Sequence, residues 1–219
     1  CIAMSFAIWL SPFFITTIEP NFLSFGSKVE DFIAKNNVKD ISDFNESPLE
    51  DERKTLIQTI GENIQLRRVE TLDYESNMNV GLYIHSDSKL GSIVVIKNGD
   101  NQIAKDIAMH VSAFNPLCLS SDEIDKDILA REKKIYENQA SESGKPQEIM
   151  DKMVQGKVKR FLSEVSLLSQ NFVKDPDITI KDYIEQNNTS IVKFTRMKVG
   201  EGIEVEKKDF AEEVAEQLK

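Results

Sequence analysis

The sequence predicts an α+β protein, on three observations. Apolar residues recur at helical spacing over residues 22–60, the period changes to two over residues 64–96, and helical spacing then returns until a β-rich run at 191–199. Antiparallel three-stranded sheets covered by helices, an inserted helical hairpin and a C-terminal helix satisfy these patterns. At 219 residues the chain can bury a sizeable core, and 40% hydrophobic with 29% charged residues is an ordinary globular balance. Acidic residues number 37 against 27 basic, a net charge of -10. That balance argues against a nucleic-acid binder held by phosphate neutralisation and favours a protein partner or a small ligand. Cys1 and Cys118 form no disulfide framework, so a reducing cytoplasm is expected.

Residues 2–18 are almost continuously apolar or small, and residues 1–27 hold one charged side chain, Glu19. A signal peptide or membrane helix is one reading. Against it, no Lys or Arg stands ahead, no Ala-x-Ala signal follows, and Pro12 would interrupt a helix. A lipoprotein processed at Cys1 is another, but the apolar stretch after Cys1 is unlike a polar tether. A fragment or mistranslated start is preferred, and no membrane partner is expected.

Residues 22–34 read as a helix, with Phe25, Val29, Phe32 and Ile33 at helical spacing. Ser47-Pro48-Leu49-Glu50 opens another: Ser47 would cap it, Pro48 suits its first turn, and Glu50 would close a capping box. Leu56 and Ile60 share one face and Gly61 ends it, so the two helices are expected to pack as a hairpin. Ile64 and Leu66, then Val80, Leu82 and Ile84, then Ile93-Val94-Val95-Ile96 read as a three-stranded antiparallel meander. Ile103, Ala104, Ile107, Ala108 and Val111 line a helix that covers it and stops before Asn115-Pro116.

Ser120-Ser121-Asp122-Glu123 reads as a second capping box, opening a helix with Ile124, Ile128, Leu129 and Ile135 in a narrow stripe. Ser143-Gly144-Lys145-Pro146 breaks it, and residues 146–165 carry Ile149, Met150, Met153, Val154, Val158, Phe161 and Leu162 at three and four spacing. The pair predicts an antiparallel coiled-coil hairpin with one face left for another molecule. Thr179 then caps a short helix to Glu185, residues 191–199 form a strong strand, and Asp209 would cap a terminal helix carrying Phe210, Val214 and Leu218.

Little in the chain supports catalysis. Only His85 and His110 are present, with no ligand cluster at metal spacing, so neither metal nor cofactor is expected. There is no Gly-x-Ser-x-Gly, P-loop, dinucleotide fingerprint or kinase set. Acidic pairs such as Asp122-Glu123 and Glu212-Glu213 read as solvated helix faces, and Lys157 to Arg160 as compensation of a helix dipole. His110 reads as a helix residue packed beside the sheet. His85 ends a strand in a polar turn, which leaves it open between an interface role and none.

Five strings share the order and spacing of one family: Ile60-Gly61-Glu62-Asn63-Ile64, Arg67-Arg68-Val69, Ile107-Ala108-Met109-His110-Val111, Ser143-Gly144-Lys145-Pro146 and Val199-Gly200-Glu201-Gly202-Ile203-Glu204. On them the chain resembles bacterial elongation factor Ts over residues 22–219. The resemblance implies a cytoplasmic guanine-nucleotide exchange factor, not an enzyme, that binds elongation factor Tu in its GDP-bound and nucleotide-free states and speeds loss of GDP. It further implies that Ile60 and His85 touch the GTPase domain, and that Phe210 and Val214 are contacts of a docking C-terminal module. Homodimerisation through the hairpin or the sheet is also compatible with it.

The implied organisation is an atypical segment 1–21, a core N-subdomain 22–76, a core C-subdomain split into 77–118 and 168–202, a hairpin 119–167 and a C-terminal module 203–219. The family's Thr-Asp-Phe-Val motif, whose ring disturbs the magnesium and phosphate site of the GTPase, should fall near Phe13-Phe14-Ile15-Thr16, which has no Asp. The family's N-terminal helical module also finds no counterpart. A frameshifted or wrongly assigned gene start would explain both, and a partner-binding or dimerising remnant without exchange activity is the alternative function.

Overall fold

The computed structural model describes residues 2–4, 20–36, 38, 42–61, 64–72 and 74–201. In chain order these form β1 (Ile2–Met4), α1 (Pro20–Asn36), α2 (Ser42–Asn45), α3 (Leu49–Ile60), β2 (Glu70–Leu72), β3 (Met78–Ile84), β4 (Leu90–Lys97), α4 (Asn101–Phe114), α5 (Lys126–Ser141), α6 (Gln147–Val165), β5 (Asn171–Phe172), β6 (Asp175–Thr179), α7 (Ile180–Gln186) and β7 (Ser190–Lys198). The α+β class is as expected. The terminal helix expected after Asp209, with Phe210 and Val214, lies outside the described residues.

The helical spacing of Phe25, Val29 and Ile33 gives α1 one apolar face, which is buried with Phe44 of α2 and Leu49 and Leu56 of α3. Phe44 meets the rings of Phe25 and Phe32 edge-on, at centroid distances of 6.4 and 6.5 Å. α3 ends as expected: Gly61 is left-handed (φ 76°) and its N–H donates to the Ile57 carbonyl at 2.8 Å. It does not begin as expected. Pro48 holds the cap position with no side-chain cap, because the Ser47 hydroxyl donates to the Phe44 carbonyl at 2.7 Å and closes the turn of α2 instead. Glu50 is taken by Arg53 in a two-pronged ion pair of 2.7 Å per prong, and Arg53 Nη1 donates to the Ile64 carbonyl. This pairing holds the Glu50 carboxyl below its usual range.

The three-stranded sheet is antiparallel, in the order β3-β4-β7, so residues 64–66 are not its first strand. Ile64 is fully buried in the α1–α3 cluster and Leu66 packs against it, which commits that segment to the helices. The third strand is instead β7, far along the chain, which pairs with the free edge of β4 with Ile93 opposite Thr195 and a bulge between Val95 and Ile96. A separate two-stranded ribbon pairs β1 with β2.

α4 covers one face of the sheet. Val94 and Ile96 pack with Ala104, Ile107, Ala108 and Val111, the stripe read from the sequence. Asp100 caps the helix by accepting from the Ile103 N–H at 2.9 Å, and Asn115 (φ 49°) ends it. The packing is close enough that a Cβ on Gly81 would lie 2.1 Å from the carbonyl carbon of Ala104. Ser92 donates to the Ala108 carbonyl, and Ser112 to Ser92 at 2.8 Å.

After α4 the chain leaves the core as a helical hairpin. Leu117 N–H donates to the Val165 carbonyl at 2.8 Å, Leu167 N–H to Cys118 at 3.0 Å and Leu168 N–H to Leu119 at 3.1 Å, so outgoing and returning strands are laced at the base. Asp125, not Ser120, caps α5, accepting from Asp127 and Ile128 N–H at 2.8 and 3.1 Å. Residues Ser121–Glu123 make only a 3-10 turn, after which extended backbone at Ile124 (ψ 136°) allows that side chain to be buried. Only Ala140 of α5 and Val154 of α6 are buried. Ile135 and Ile149, read as seam residues, are 40% and 46% exposed. Each lies about 100° around its helix from a half-buried neighbour, Tyr136 and Met150, that takes the inward position.

Past the hairpin, Thr179 and Asp182 form a capping box for α7, and the Phe172 ring stacks on Tyr183 at 4.3 Å. His110, on α4, is wholly buried.

Gly81→Val is expected to destabilise the fold by about 3 kcal/mol or more, since backbone meets the new side chain and neither can yield; urea unfolding measures it. A second expectation concerns His110, whose pKa burial pushes below its ordinary 6.5. As pH falls through 6.5 the unfolded chain gains a proton that the folded chain refuses, so stability declines until the lowered folded pKa is reached. Urea midpoints on either side of 6.5 should show this decline, and it should be smaller in His110→Gln.

Candidate functional site

β3 is an edge strand of the sheet, and its two faces have different fates. Asn79, Gly81 and Tyr83 alternate with Val80, Leu82 and Ile84; close approach of α4 at Gly81 assigns the first set to the helix side. The second set therefore faces away from α4. Near Met78 and Val80 that outer face is closed with Ile93, Val95 and Tyr74. Toward the other end it is open, with Leu82 42% and Ile84 48% exposed. Two large aliphatic side chains on an open sheet edge are the kind of surface a protein partner covers.

His85 follows directly. Its N–H donates to the Leu90 carbonyl and its carbonyl accepts from Ser88 N–H, both at 2.8 Å, while Ser88 takes a positive φ of 55° to close the turn. Asp87 accepts from the Lys89 N–H at 3.0 Å and lies 3.0 Å from His85 Nδ1. The Lys89 amide first, and the imidazole second, hold the Asp87 carboxyl below its usual range. With Nδ1 held by Asp87, the half-exposed ring stands at the position directly after Ile84. The sequence had placed His85 at a strand end; the structure adds Leu82 and Ile84 to the same edge.

Ile60 occupies a different place. It is the last residue of α3, half-buried against the α1–α3 cluster. Ile60 thus packs with the α1–α3 cluster while His85 follows the edge strand β3, and Phe210 and Val214 lie outside the described residues. An ionic junction connects the segment after α3 with the end of β7. Arg67 Nη1 donates to the Glu201 carbonyl at 3.0 Å, Arg68 approaches the Glu201 carboxylate at 3.5 Å, and Arg196 approaches it at 3.0 Å. Two strings read separately in the sequence, Arg67-Arg68 and Gly200-Glu201, therefore meet in space.

The hairpin offers a third surface. Lys157 Nζ bridges the helices, 2.5 Å from Gln139 Oε1 and 5.6 Å from the Tyr136 ring centre. Nearer the base, Leu129, Val154, Val158 and Leu162 line a groove of about 490 Å³ flanked by Lys133 and Lys159. Among the described residues no three His, Cys, Asp or Glu side chains are grouped to hold a metal, and no helix is long and apolar enough to cross a membrane.

Comparison with known proteins gives these surfaces a context. The family model described as Elongation factor TS matches residues 14–201. The Elongation factor Ts of Hahella chejuensis (strain KCTC 2396) is 44% identical over 201 residues, which is 92% of this chain and 69% of that protein. The Elongation factor Ts of Francisella tularensis subsp. novicida (strain U112) is 49% identical over 170 residues, 78% of this chain and 57% of that protein. The chain thus spans little more than half the length of some of these relatives.

Because the Glu201 carboxylate serves two guanidiniums, Glu201→Ala is expected to cost about 1 kcal/mol in chemical denaturation, with a loss that shrinks in high salt. The surface pair Lys152–Glu148, by contrast, should contribute under about 0.5 kcal/mol when Lys152 is replaced by Ala.

Proposed function

The chain belongs to the elongation factor Ts family, and from that premise we propose that it binds elongation factor Tu and promotes release of GDP so that GTP can enter. The single observation that carries the reading is the family match across residues 14–201, which includes the α1–α3 cluster, the three-stranded sheet and the whole hairpin. Such a factor makes and breaks no covalent bond. It works by reciprocity: binding the nucleotide-free GTPase more tightly than the loaded one must weaken nucleotide binding by the same ratio. The differential contacts have to come from surfaces such as the Leu82-Ile84-His85 edge, the Ile60 end of α3 and the hairpin, with Phe210 and Val214 contributing from the C-terminal module. The site of action on this reading is the cytoplasm.

The chemistry of the edge suits such a role. Leu82 and Ile84 supply apolar area to be dehydrated, while His85, steadied by Asp87, supplies a directional polar contact at its margin. A second reading is favoured by one observation, that Phe13-Phe14-Ile15-Thr16 lacks the Asp of the family's wedge motif. On it, the chain engages the GTPase without accelerating release.

One assay separates the two. Elongation factor Tu loaded with fluorescent GDP is mixed with catalytic amounts of the chain and chased with unlabelled nucleotide, with a pull-down in parallel. Accelerated release supports exchange, binding without acceleration supports the second reading, and neither sinks both. If exchange is observed, His85→Ala and Leu82→Glu should each raise the concentration needed for half-maximal release by about tenfold, equivalent to about 1.4 kcal/mol. Val192→Glu, on a different strand, should leave it within about twofold.

A further inference from the structure

Buried polar atoms must find partners, and those of His110 come from the segment on which the hairpin returns. His110 is wholly buried on α4. The backbone N–H of Val173 donates to its Nδ1 at 3.2 Å, and its Nε2 lies 3.0 Å from Gln170 Oε1. Gln170 is 5% exposed; its side-chain Nε2 donates to the Glu164 carbonyl at 2.6 Å, and its own carbonyl accepts from the Ile180 N–H at 2.9 Å. Phe114 stacks on the imidazole at 4.6 Å and Phe172 flanks it at 6.2 Å.

These contacts select one chemical form of the ring. A backbone N–H can only donate, so Nδ1 must be unprotonated. The Glu164 carbonyl can only accept, which turns the Gln170 amide nitrogen toward it and its oxygen toward His110, so Nε2 must carry the proton. Both requirements come from groups whose roles are chemically fixed, and they agree on the neutral Nε2–H tautomer. Burial, which disfavours a charged imidazole, acts in the same direction.

Glu164 lies in the last turn of α6, where helix carbonyls lack intrahelical donors. Its neighbour Val165 is served by Leu117 N–H, part of the lacing at the hairpin base. That lacing fixes where the hairpin leaves the core but leaves rotation about the laced strands weakly opposed. A contact to the Glu164 carbonyl that comes from a side chain, outside the laced backbone, opposes it, and this contact reaches through Gln170 and His110 to the helix packed on the sheet.

We propose that His110, as its Nε2–H tautomer, is a positioning residue that holds the helical hairpin at one orientation on the sheet, and that this orientation presents the hairpin to the partner GTPase. The second half rests on the exchange reading. The first half stands on the contacts alone.

The decisive measurement needs no variant: nitrogen NMR of the His110 ring in the intact chain. An unprotonated Nδ1 and a protonated Nε2 are expected; the opposite tautomer, or exchange between the two, overturns the proposal. Spin labels carried by unnatural residues at positions 142, at the hairpin tip, and 97, on the sheet, then read orientation. A single narrow distance is expected for the wild type, a broadened one for Gln170→Leu and His110→Phe, and recovery in His110→Gln, which restores a donor near Nε2. An unchanged narrow distance in folded Gln170→Leu overturns the positioning role. In the exchange assay Gln170→Leu should raise KM for the loaded GTPase about fivefold with kcat retained; a broadened distance with unchanged KM overturns the second half. Failure of the wild type to accelerate release would sink the exchange reading, while the tautomer and distance results would still decide the positioning role.

Discussion

The close seating of α4 on β3 is the contact from which most of this structure follows. At Gly81 the helix backbone occupies the space a Cβ would need, so the sheet has one face that admits a helix and cannot be turned over. A strand alternates strictly, and a one-residue shift would exchange its faces. Fixing Gly81 inward therefore fixes Leu82 and Ile84 outward, with His85 in the turn beyond them. The same seating brings α4 down onto Val94 and Ile96 and places His110 over the segment to which the hairpin returns. Core, exposed edge and hairpin base are three results of one approach.

Much of this was legible in the sequence because it depends on local spacing. The stripes of α1 and α4, the Gly61 stop, the hairpin turn at Gly144 and the Thr179 cap are all set by neighbours within a few residues, and each appears where its pattern placed it. The errors share a cause of the opposite kind. Ile64 has the spacing of a strand residue but is claimed by the helices that precede it, and the second strand that pairs with β4 comes from almost a hundred residues away. Ser47 has a hydroxyl suited to capping, yet a nearer carbonyl, that of Phe44, takes it. Ser120 was passed over for Asp125 because Ile124 needed extended backbone to reach the core.

The candidate site divides in the same way. His85 could be placed at an exposed strand end from local sequence, while Leu82 and Ile84 could not be distinguished from core residues, since period-two alternation marks two faces without saying which is covered. The signal lay in Gly81: a glycine inside a strand often marks close backbone approach. The meeting of Arg67 and Arg68 with Glu201 has no local signature at all. It joins residues 134 apart in the chain.

A hairpin that projects from a core must get its direction from its base. Two helices packed only on each other bury one narrow seam, and here that seam buries just Ala140 and Val154, with Ile135 and Ile149 left partly exposed. Such packing can keep two helices side by side, but it exerts no torque relative to the sheet. Direction must come from bonds that cross between hairpin and core, and backbone lacing along one line constrains translation better than rotation. Bonds that leave that line have more leverage. The chain from Glu164 through Gln170 to His110 is of this kind, and Gln170 and His110 are buried, so breaking it strands an amide and an imidazole away from water. A few such hydrogen bonds can therefore govern the direction of a lever whose own packing leaves that direction undetermined.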